Sequence, residues 1–298
     1  MLENFKINLK EIDKIKKISR DEKEFRIKNL NYFNKVGFPD KKIEDWKFSD
    51  LKGIIYKNFD KLNIKNINSK FKNVDLINDF DHNYITLVNG ELNDINFKFE
   101  EKKNLKIKSF YNDNFLDRIQ DNPLINLNHA LSKNGYLLEV EENYRFKKVL
   151  VIYNLFTENL RDNILNSRNK IKIGKNSELH TIDLVINKSK HKFINNVYED
   201  IILDNNAVFK NICIQNEKSE GYFHKFSKNI LASKSKYSSF IFPSGLKFNK
   251  LDLEFNLEGE ESECNLQAAS FLNKNDHQEI KTRINHFALN CKSYQRVK

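Results

Sequence analysis

The segment from His277 to His286, HQEIKTRINH, is the densest group of polar side chains in the sequence. His277 and Glu279 are two residues apart, and residues with this spacing share one face of a β-strand. Such a pair could hold a metal ion or pass a proton. His286 would lie with Thr282 and Ile284 on the opposite face, and the spacing suggests no third ligand. The candidate functional residues are therefore His277, Glu279 and His286, although hydrogen-bonded strand residues would explain the same pattern.

The rest of the sequence offers few motifs for chemistry. GKNS at 174–177 lacks the first Gly and the Ser or Thr after Lys that a P-loop needs. No G-x-S-x-G, H-E-x-x-H or G-x-G-x-x-G motif is present. Cys213, Cys264 and Cys291 lie far apart without a C-x-x-C pair, which predicts buried thiols rather than a zinc site or disulfides. We therefore predict no catalytic residue and no cofactor or metal bound by a motif.

Composition indicates a folded chain with a basic N-terminal part. The 298 residues include 24 Phe and 11 Tyr, and of the net charge of +10, residues 1–70 contribute +7. Most of the basic residues are Lys rather than the Arg that base and phosphate recognition favour, which indicates a solvated surface. Nucleic-acid binding by the N-terminal helices remains an alternative, with an affinity that falls steeply with salt. The sequence shows no signal peptide or membrane span, so we expect a cytoplasmic protein.

Two helices are predicted near the N-terminus. Apolar residues recur every three positions at Leu9, Ile12, Ile15 and Ile18. Ser19 and Glu22 then fit a capping box, which starts a second helix running from about Arg20 to Lys35. Gly37 and Pro39 end that helix, because Gly permits a left-handed exit and Pro cannot donate the next helical hydrogen bond.

The chain after about residue 84 has the two-residue period of β-strands. Strands are predicted at 149–155, 169–173, 178–186, 197–203, 208–214 and 251–258, and no helix from Tyr136 onward. Turns with a small residue recur every 26 to 30 residues, at Ser177, Ala207, Ser235 and Ser262. We predict a mainly β fold, a right-handed parallel β-helix preceded by a small helical N-terminal domain, with a β-sandwich as the rival. The expected divisions are 1–75 (helical), 76–135 (mixed α/β connection) and 136–298 (β-helix core).

The stretch GFPDKKIEDWKFSDL, residues 37–51, contains the only Trp of the chain and one of its three Pro. We call these residues the clasp. Their apolar and charged side chains suit a structural role. Trp46, Phe48 and Leu51 are expected to anchor the chain, and Glu44 and Lys47 to form a salt bridge. The structural residues predicted in the clasp are Gly37, Pro39, Glu44, Trp46, Lys47, Phe48 and Leu51.

The clasp resembles the opening signature of the SufD family of iron–sulfur cluster assembly proteins, within the wider SufB/SufD family. That signature is G-[LF]-P followed by E-x-W-K-[YF]-[ST]-x-L. Further segments are similar to the family's L-N-x-A with a later Gly, its L-x-G-x-x-[AS]-E turn, its H-x-D-x-x-T-x-[VI]-x-H strand and its S-x-Q. Here they are residues 127–130 with Gly135, 257–263, 277–286 and 293–295. The family's Asp in the His-Thr-His strand is Glu279 here.

The resemblance implies a non-catalytic scaffold that pairs with SufB through the β-helix and is coupled to the ATPase SufC. It also implies a transient iron–sulfur cluster at the SufB interface. Family members continue past the position of Lys298 to a C-terminal helical domain that binds SufC, so a C-terminally truncated SufD is expected. The alternatives are a SufB paralogue and a cytoplasmic β-helix carbohydrate-active enzyme, which would need two or more carboxylates in a surface groove.

Overall fold

The computed structural model describes residues 5–16, 18–64, 75–109, 119–215 and 217–298. The helices in these ranges are α1 (Lys10–Asp13), α2 (Arg20–Val36), α3 (Leu51–Asn58) and α4 (Pro123–Leu131), with short 3-10 helices at Glu44–Trp46 and Lys102–Asn104. The strands are β1 (Asn83–Val88), β2 (Glu91–Asn96), β3 (Leu105–Ser109), β4 (Asn134–Val140), β5 (Leu150–Phe156), β6 (Asn163–Ile173), β7 (Glu178–Asn187), β8 (Phe193–Leu203), β9 (Val208–Gln215), β10 (Ser219–Leu231), β11 (Lys236–Pro243), β12 (Leu246–Leu257), β13 (Glu263–Ala268), β14 (His277–His286) and β15 (Lys292–Val297).

The strands form a parallel β-solenoid. Even-numbered strands pair in the order β4-β6-β8-β10-β12-β14, and odd-numbered strands in the order β5-β7-β9-β11-β13-β15. Each strand therefore pairs in parallel with a strand two places along the chain, and two successive strands make one coil. Antiparallel pairing occurs between β1 and β2 and between β3 and β4. The β-helix prediction is confirmed, and the rival sandwich is wrong because a sandwich consists of antiparallel sheets.

The repeated small residues lie at stacked corners of the solenoid, as predicted. Ser177, Ala207, Ser235 and Ser262 are each no more than 1% exposed. The residue before each of them has a positive φ of 57° to 59°, namely Asn176, Asn206, Lys234 and Glu261. These left-handed residues donate a backbone hydrogen bond to the next corner, for example from Asn206 N to Ser233 O at 2.9 Å. Larger side chains at the small positions would collide with the neighbouring coil.

The alternation of apolar and polar residues places the core inside the coils. In β12 the residues Leu251, Leu253, Phe255 and Leu257 are buried inward, as their two-residue period predicts. Only glycine fits at Gly135 in β4, because φ is +119° there and an added Cβ would lie 1.9 Å from the Arg168 carbonyl oxygen. No helix occurs among the described residues after Leu131, which confirms the prediction for the chain from Tyr136 onward.

Of the two helices predicted near the N-terminus, one is present as predicted and the other is not. Helix α2 starts where predicted, since Ser19 Oγ accepts a hydrogen bond from Glu22 N at 3.1 Å, and it ends within one residue of the predicted position. The helix predicted across Leu9 to Ile18 is wrong, because α1 has only four residues. Ile12 and Ile15 are buried, but Leu9 is 42% exposed, so the three-residue spacing reflects burial of a mostly irregular segment.

Helices α2, α3 and α4 pack on the outer face of the even-numbered strands. Their apolar residues form one cluster with Ile164, Ile194, Tyr222 and Phe248, which project outward from successive strands. Arg26 of α2 is 2% exposed and donates to three carbonyl oxygens at the C-terminal end of α4, the shortest to Ser132 O at 2.9 Å. This arrangement fixes the helices against one side of the solenoid. No helix in the described ranges is long and apolar enough to cross a bilayer.

Candidate functional site

The clasp lies over the outer face of β10, β12 and β14. Gly37 ends α2 with a φ of +77°, and the chain then passes Pro39 into the 3-10 helix that contains Trp46. Asp50 caps α3 by accepting a hydrogen bond from Gly53 N at 3.0 Å. Leu51, the first residue of α3, is 1% exposed. Helix ends on both sides therefore hold the segment from 38 to 50 in a fixed path.

Trp46 is the anchor that the sequence predicted. Its side chain is fully buried, with its ring 4.9 Å from Lys250 Nζ and 5.3 Å from the His224 ring. A cation over an indole face is attracted to the ring, and the attraction is stronger where water is excluded. Trp46 thus combines hydrophobic burial with a specific interaction to β12.

Beneath Trp46 runs a row of outward-facing polar residues, one from each successive coil. We call it the polar row: Asn166, Asn196, His224, Lys250 and Glu279. Asn196 Nδ2 donates to Asn166 Oδ1 at 2.8 Å, and a ring nitrogen of His224 lies 2.9 Å from Asn196 Oδ1. Asn196 also donates to the Leu124 carbonyl of α4 at 2.9 Å. Some hydrogen bonds of the polar row are therefore made with the helices that cover it.

Lys250 is the central charge of the polar row. It is fully buried and lies 2.5 Å from Glu279 Oε1 and 3.1 Å from Asp252 Oδ1. A buried ammonium is tolerated only when it is paired, and here two carboxylates surround it. Asp252 in turn lies 3.2 Å from His224 Nε2, so the ionic cluster extends across three strands.

Ser49 of the clasp joins two of the candidate residues. Its hydroxyl donates to Glu279 Oε2, and its oxygen lies 2.7 Å from His277 Nε2. A serine hydroxyl carries one hydrogen, so His277 must donate and Ser49 must accept. A catalytic serine instead donates to its histidine, whose other nitrogen faces the acid. Glu279 and Ser49 both contact Nε2 of His277, so this group is a hydrogen-bond chain and not a nucleophilic triad.

The surroundings of Glu279 keep it ionised. Burial would raise the pKa of Glu279, but hydrogen bonds from His277, Lys250 and Ser49 lower it to about 2. A general acid for glycoside hydrolysis needs a raised pKa, and a nucleophile needs a free carboxylate facing a groove. The geometry therefore gives no support to the carbohydrate-active alternative.

A second ionic contact holds the clasp at Asp45. Asp45 pairs with Lys281, and Arg283 Nη2 lies 3.7 Å from the same Asp45 oxygen. Lys281 and Arg283 lie on the face of β14 that also carries Glu279, as the strand pattern predicted. The outward face of β14 is thus the surface that receives the clasp.

The Glu44–Lys47 pair and Phe48 hold the clasp in place less than Trp46 does. The predicted pair between Glu44 and Lys47 is present at 2.8 Å, but both side chains are about half exposed or more, and such pairs contribute little. Phe48 is 73% exposed, so the expectation that it anchors the chain is wrong. Phe48 follows the buried Trp46 by two residues in a tight turn, which directs its ring outward.

His286 is separate from His277 and Glu279. It lies on the inner face of β14, where its Nε2 is 3.1 Å from Ser293 Oγ, and Thr282 donates to Gln295 Oε1 at 2.8 Å. The S-x-Q segment therefore contacts the His-Thr-His strand across the coil. The three candidate residues do not form one site, and across the described ranges no three His, Cys, Asp or Glu are placed to hold a metal ion.

Sequence reasoning missed the residues that connect the clasp to the solenoid: Asp45, Ser49, His224, Lys250 and Asp252. The alternation in β12 marked Asp252 as outward-facing, but an outward polar residue normally meets solvent. The signal that could have found them is the register between adjacent coils, which sets Lys250 beside Glu279. The three cysteines are free; Cys264 is buried as expected, whereas Cys213 and Cys291 are half-buried.

Comparison with known families finds a similarity within the solenoid. Residues 156–298 match the sequence model of the family described as SUF system FeS cluster assembly, SufBD core domain. The matched region runs from the end of β5 to the last residue and contains β6 to β15. A search of curated proteins finds no match to the chain. This part of the chain is therefore similar to the core domain of that family.

Proposed function

We propose that the protein is a SufD-type scaffold of the SUF system, which pairs with SufB and is coupled to the ATPase SufC. One observation carries the proposal. The two most specific segments of the SufD resemblance, the clasp and the His277–His286 strand, contact each other directly through Ser49, Glu279 and Asp45 with Lys281. They do so on a solenoid that matches the SufBD core domain.

The proposed role is non-catalytic. The polar row is neutralised internally, Glu279 is ionised and paired, and Ser49 donates its proton to a carboxylate. These residues join two parts of the chain and leave no poised nucleophile or acid. In this proposal the nascent iron–sulfur cluster is cargo at the interface with SufB, and ATP hydrolysis takes place on SufC.

The coil formed by β14 and β15 is the proposed contact with SufB. Exposed apolar side chains are concentrated there: Phe287, Leu289, Tyr294 and Val297 are 53% to 71% exposed. Apolar and aromatic residues of this kind form the centres of protein interfaces. SufB, as a protein of the same family, would supply a matching β-helix surface.

Co-expression of the tagged chain with SufB tests the proposal. We expect SufB to co-purify, and the double variant Leu289→Asp, Tyr294→Asp to lose most of it. Phe48→Asp is the matched control, because Phe48 is equally exposed but lies on the clasp. Absence of SufB from the wild-type eluate would contradict the pairing, and equal loss in the Phe48 control would contradict the assigned surface.

A further inference from the structure

His224, in the polar row, has a hydrogen-bond acceptor beside each of its ring nitrogens. The residue is 2% exposed. Its Nδ1 lies 2.9 Å from Asn196 Oδ1 on β8, and its Nε2 lies 3.2 Å from Asp252 Oδ2 on β12. A neutral imidazole has one N–H and one bare nitrogen, so it can donate to only one of these two oxygens.

The neighbours of Asn196 fix which of its side-chain atoms faces His224. Asn196 Nδ2 donates to the backbone carbonyl of Leu124 at 2.9 Å and to Asn166 Oδ1 at 2.8 Å. A backbone carbonyl can only accept, so exchanging the amide oxygen and nitrogen would set Asn196 Oδ1 against the Leu124 oxygen. The oxygen therefore faces His224, and Nδ1 of His224 must donate to it.

Asp252 is an acceptor on the other side of the ring. Its second oxygen, Oδ1, lies 3.1 Å from Nζ of the fully buried Lys250. A nearby ammonium favours the ionised form of a carboxyl group, which has no hydrogen to donate. Nε2 of His224 must therefore donate as well, and a ring with hydrogen on both nitrogens is an imidazolium.

The charges around the ring balance when His224 has this form. Lys250 lies opposite His224 in the register between β10 and β12 and carries the second positive charge. The negative charges are Asp252 on β12 and Glu279 on β14, whose Oε1 is 2.5 Å from Lys250 Nζ. Two cations and two anions make a cluster without net charge, which suits a buried position. The elements on the other sides of the ring contribute the uncharged Asn196, the Leu124 carbonyl and the Trp46 indole.

We propose that His224 is a buried imidazolium and that closure of the clasp is coupled to the uptake of its second proton. The Trp46 ring of the clasp lies 5.3 Å from the His224 ring, and an indole attracts a cation most strongly where water is excluded. Loss of the proton would turn a bare nitrogen towards Asn196 or Asp252 and leave the cluster with one negative charge in excess. High pH should therefore destabilise the closed clasp.

Nitrogen-15 NMR of the wild-type chain with labelled histidine tests the protonation state. Contacts with indole protons assign the His224 ring, since Trp46 is the only Trp. At about pH 8 both ring nitrogens of His224 should have the chemical shift of a protonated nitrogen. The exposed His191 should have the shifts of a neutral ring, as an ordinary histidine does well above pH ~6.5. A neutral His224 ring at this pH would overturn the proposal.

Unfolding at different pH values measures the coupling. The unfolded chain releases the histidine proton above pH ~6.5, whereas the folded chain keeps it, so the folded state loses stability as the pH rises. Between about pH 7 and 9 the folding equilibrium constant of the wild type should fall up to about tenfold per pH unit more than that of His224→Gln. His191→Gln, the matched control, should fall as steeply as the wild type. Equal slopes for the wild type and His224→Gln would overturn the coupling.

Fluorescence of the single Trp reports on the clasp without a variant. Trp46 is fully buried, so acrylamide should quench it weakly while His224 is protonated. Quenching should increase at the pH where NMR shows the loss of the second proton, with the solenoid still folded by circular dichroism. Unchanged quenching across that pH would show that the clasp closes without the proton, and would overturn the proposal.

Discussion

Ser49 donates a hydrogen bond to Glu279, although the two residues are 230 positions apart in the sequence. The contact joins the turn after Trp46 to the outward face of β14, and it makes the clasp part of the solenoid.

Trp46 should be the main source of stability in the clasp. Trp46→Ala removes a fully buried side chain together with its contact to Lys250, and we expect a loss of about 3 to 5 kcal/mol in the free energy of unfolding. Phe48→Ala, at a site 73% exposed, should change it by less than about 0.5 kcal/mol. Denaturant unfolding measures both, and equal losses would contradict the assignment of Trp46 as the anchor.

Lys250 should be needed for stability because it lies between the carboxylates of the buried Asp252 and the half-buried Glu279. Lys250→Met removes the ammonium that Asp252 and Glu279 share, and we expect a cost of about 3 to 5 kcal/mol. Adding Asp252→Asn and Glu279→Gln to this variant should recover most of the loss, since neutral amides need no counter-ion.

A matched control for Lys250 is Lys236, which pairs with Glu263 on the exposed outer face of β11. Lys236→Met should cost less than about 1 kcal/mol. If Lys250→Met were as mild as the control, the Lys250 ammonium would not be needed to neutralise the carboxylates beside it.

Acid should remove the contribution of Glu279 to the free energy of unfolding. The pKa of Glu279 in the folded chain is about 2, below the unfolded value of about 4.3. A depressed pKa adds stability above the unfolded value, and that stability is lost as the pH falls from about 4.3 towards 2. The difference in unfolding free energy between the wild type and Glu279→Gln should therefore be largest near pH 6 and vanish towards pH 2. A pH-independent difference, or an equal effect from the exposed Glu158→Gln, would contradict this.

The left-handed corner residues offer a test of the solenoid itself. Lys234 has a φ of +58°, which glycine adopts without strain. Lys234→Gly should be neutral or stabilise by up to about 1 kcal/mol, whereas Lys236→Gly, two residues later in β11, should destabilise by about 0.5 to 1 kcal/mol. Thermal unfolding would contradict the corner geometry if both variants were equally destabilised.

The sequence allowed the coils to be predicted, because each coil is encoded locally by a two-residue period and a turn with a small residue. Ser177 and Ser235 could be placed at corners for that reason. The four-residue α1 could not be predicted, because Ile12 is buried in the cluster formed with distant helices and not by a longer helix of its own. The spacing of such residues resembles that of a helix even where tertiary packing determines which of them are buried.

The candidate site was only partly predictable for a similar reason. Trp46 stands out by its rarity, and Glu279 by its neighbours in the sequence. Lys250 sits among the polar and apolar residues of an ordinary strand, and its importance comes from its register with Glu279 and from the indole above it. Contacts between the clasp and β14 depend on how the chain returns over its own solenoid, which local patterns do not contain.

Native mass spectrometry of the tagged chain, co-expressed with SufB and SufD in equal amounts, tests the proposed function most directly. The SufD-type assignment predicts a complex with SufB in excess over any complex with SufD. A complex with SufD in place of SufB would show a SufB-type protein, and no complex with either would contradict the role as a subunit of the SUF assembly machinery.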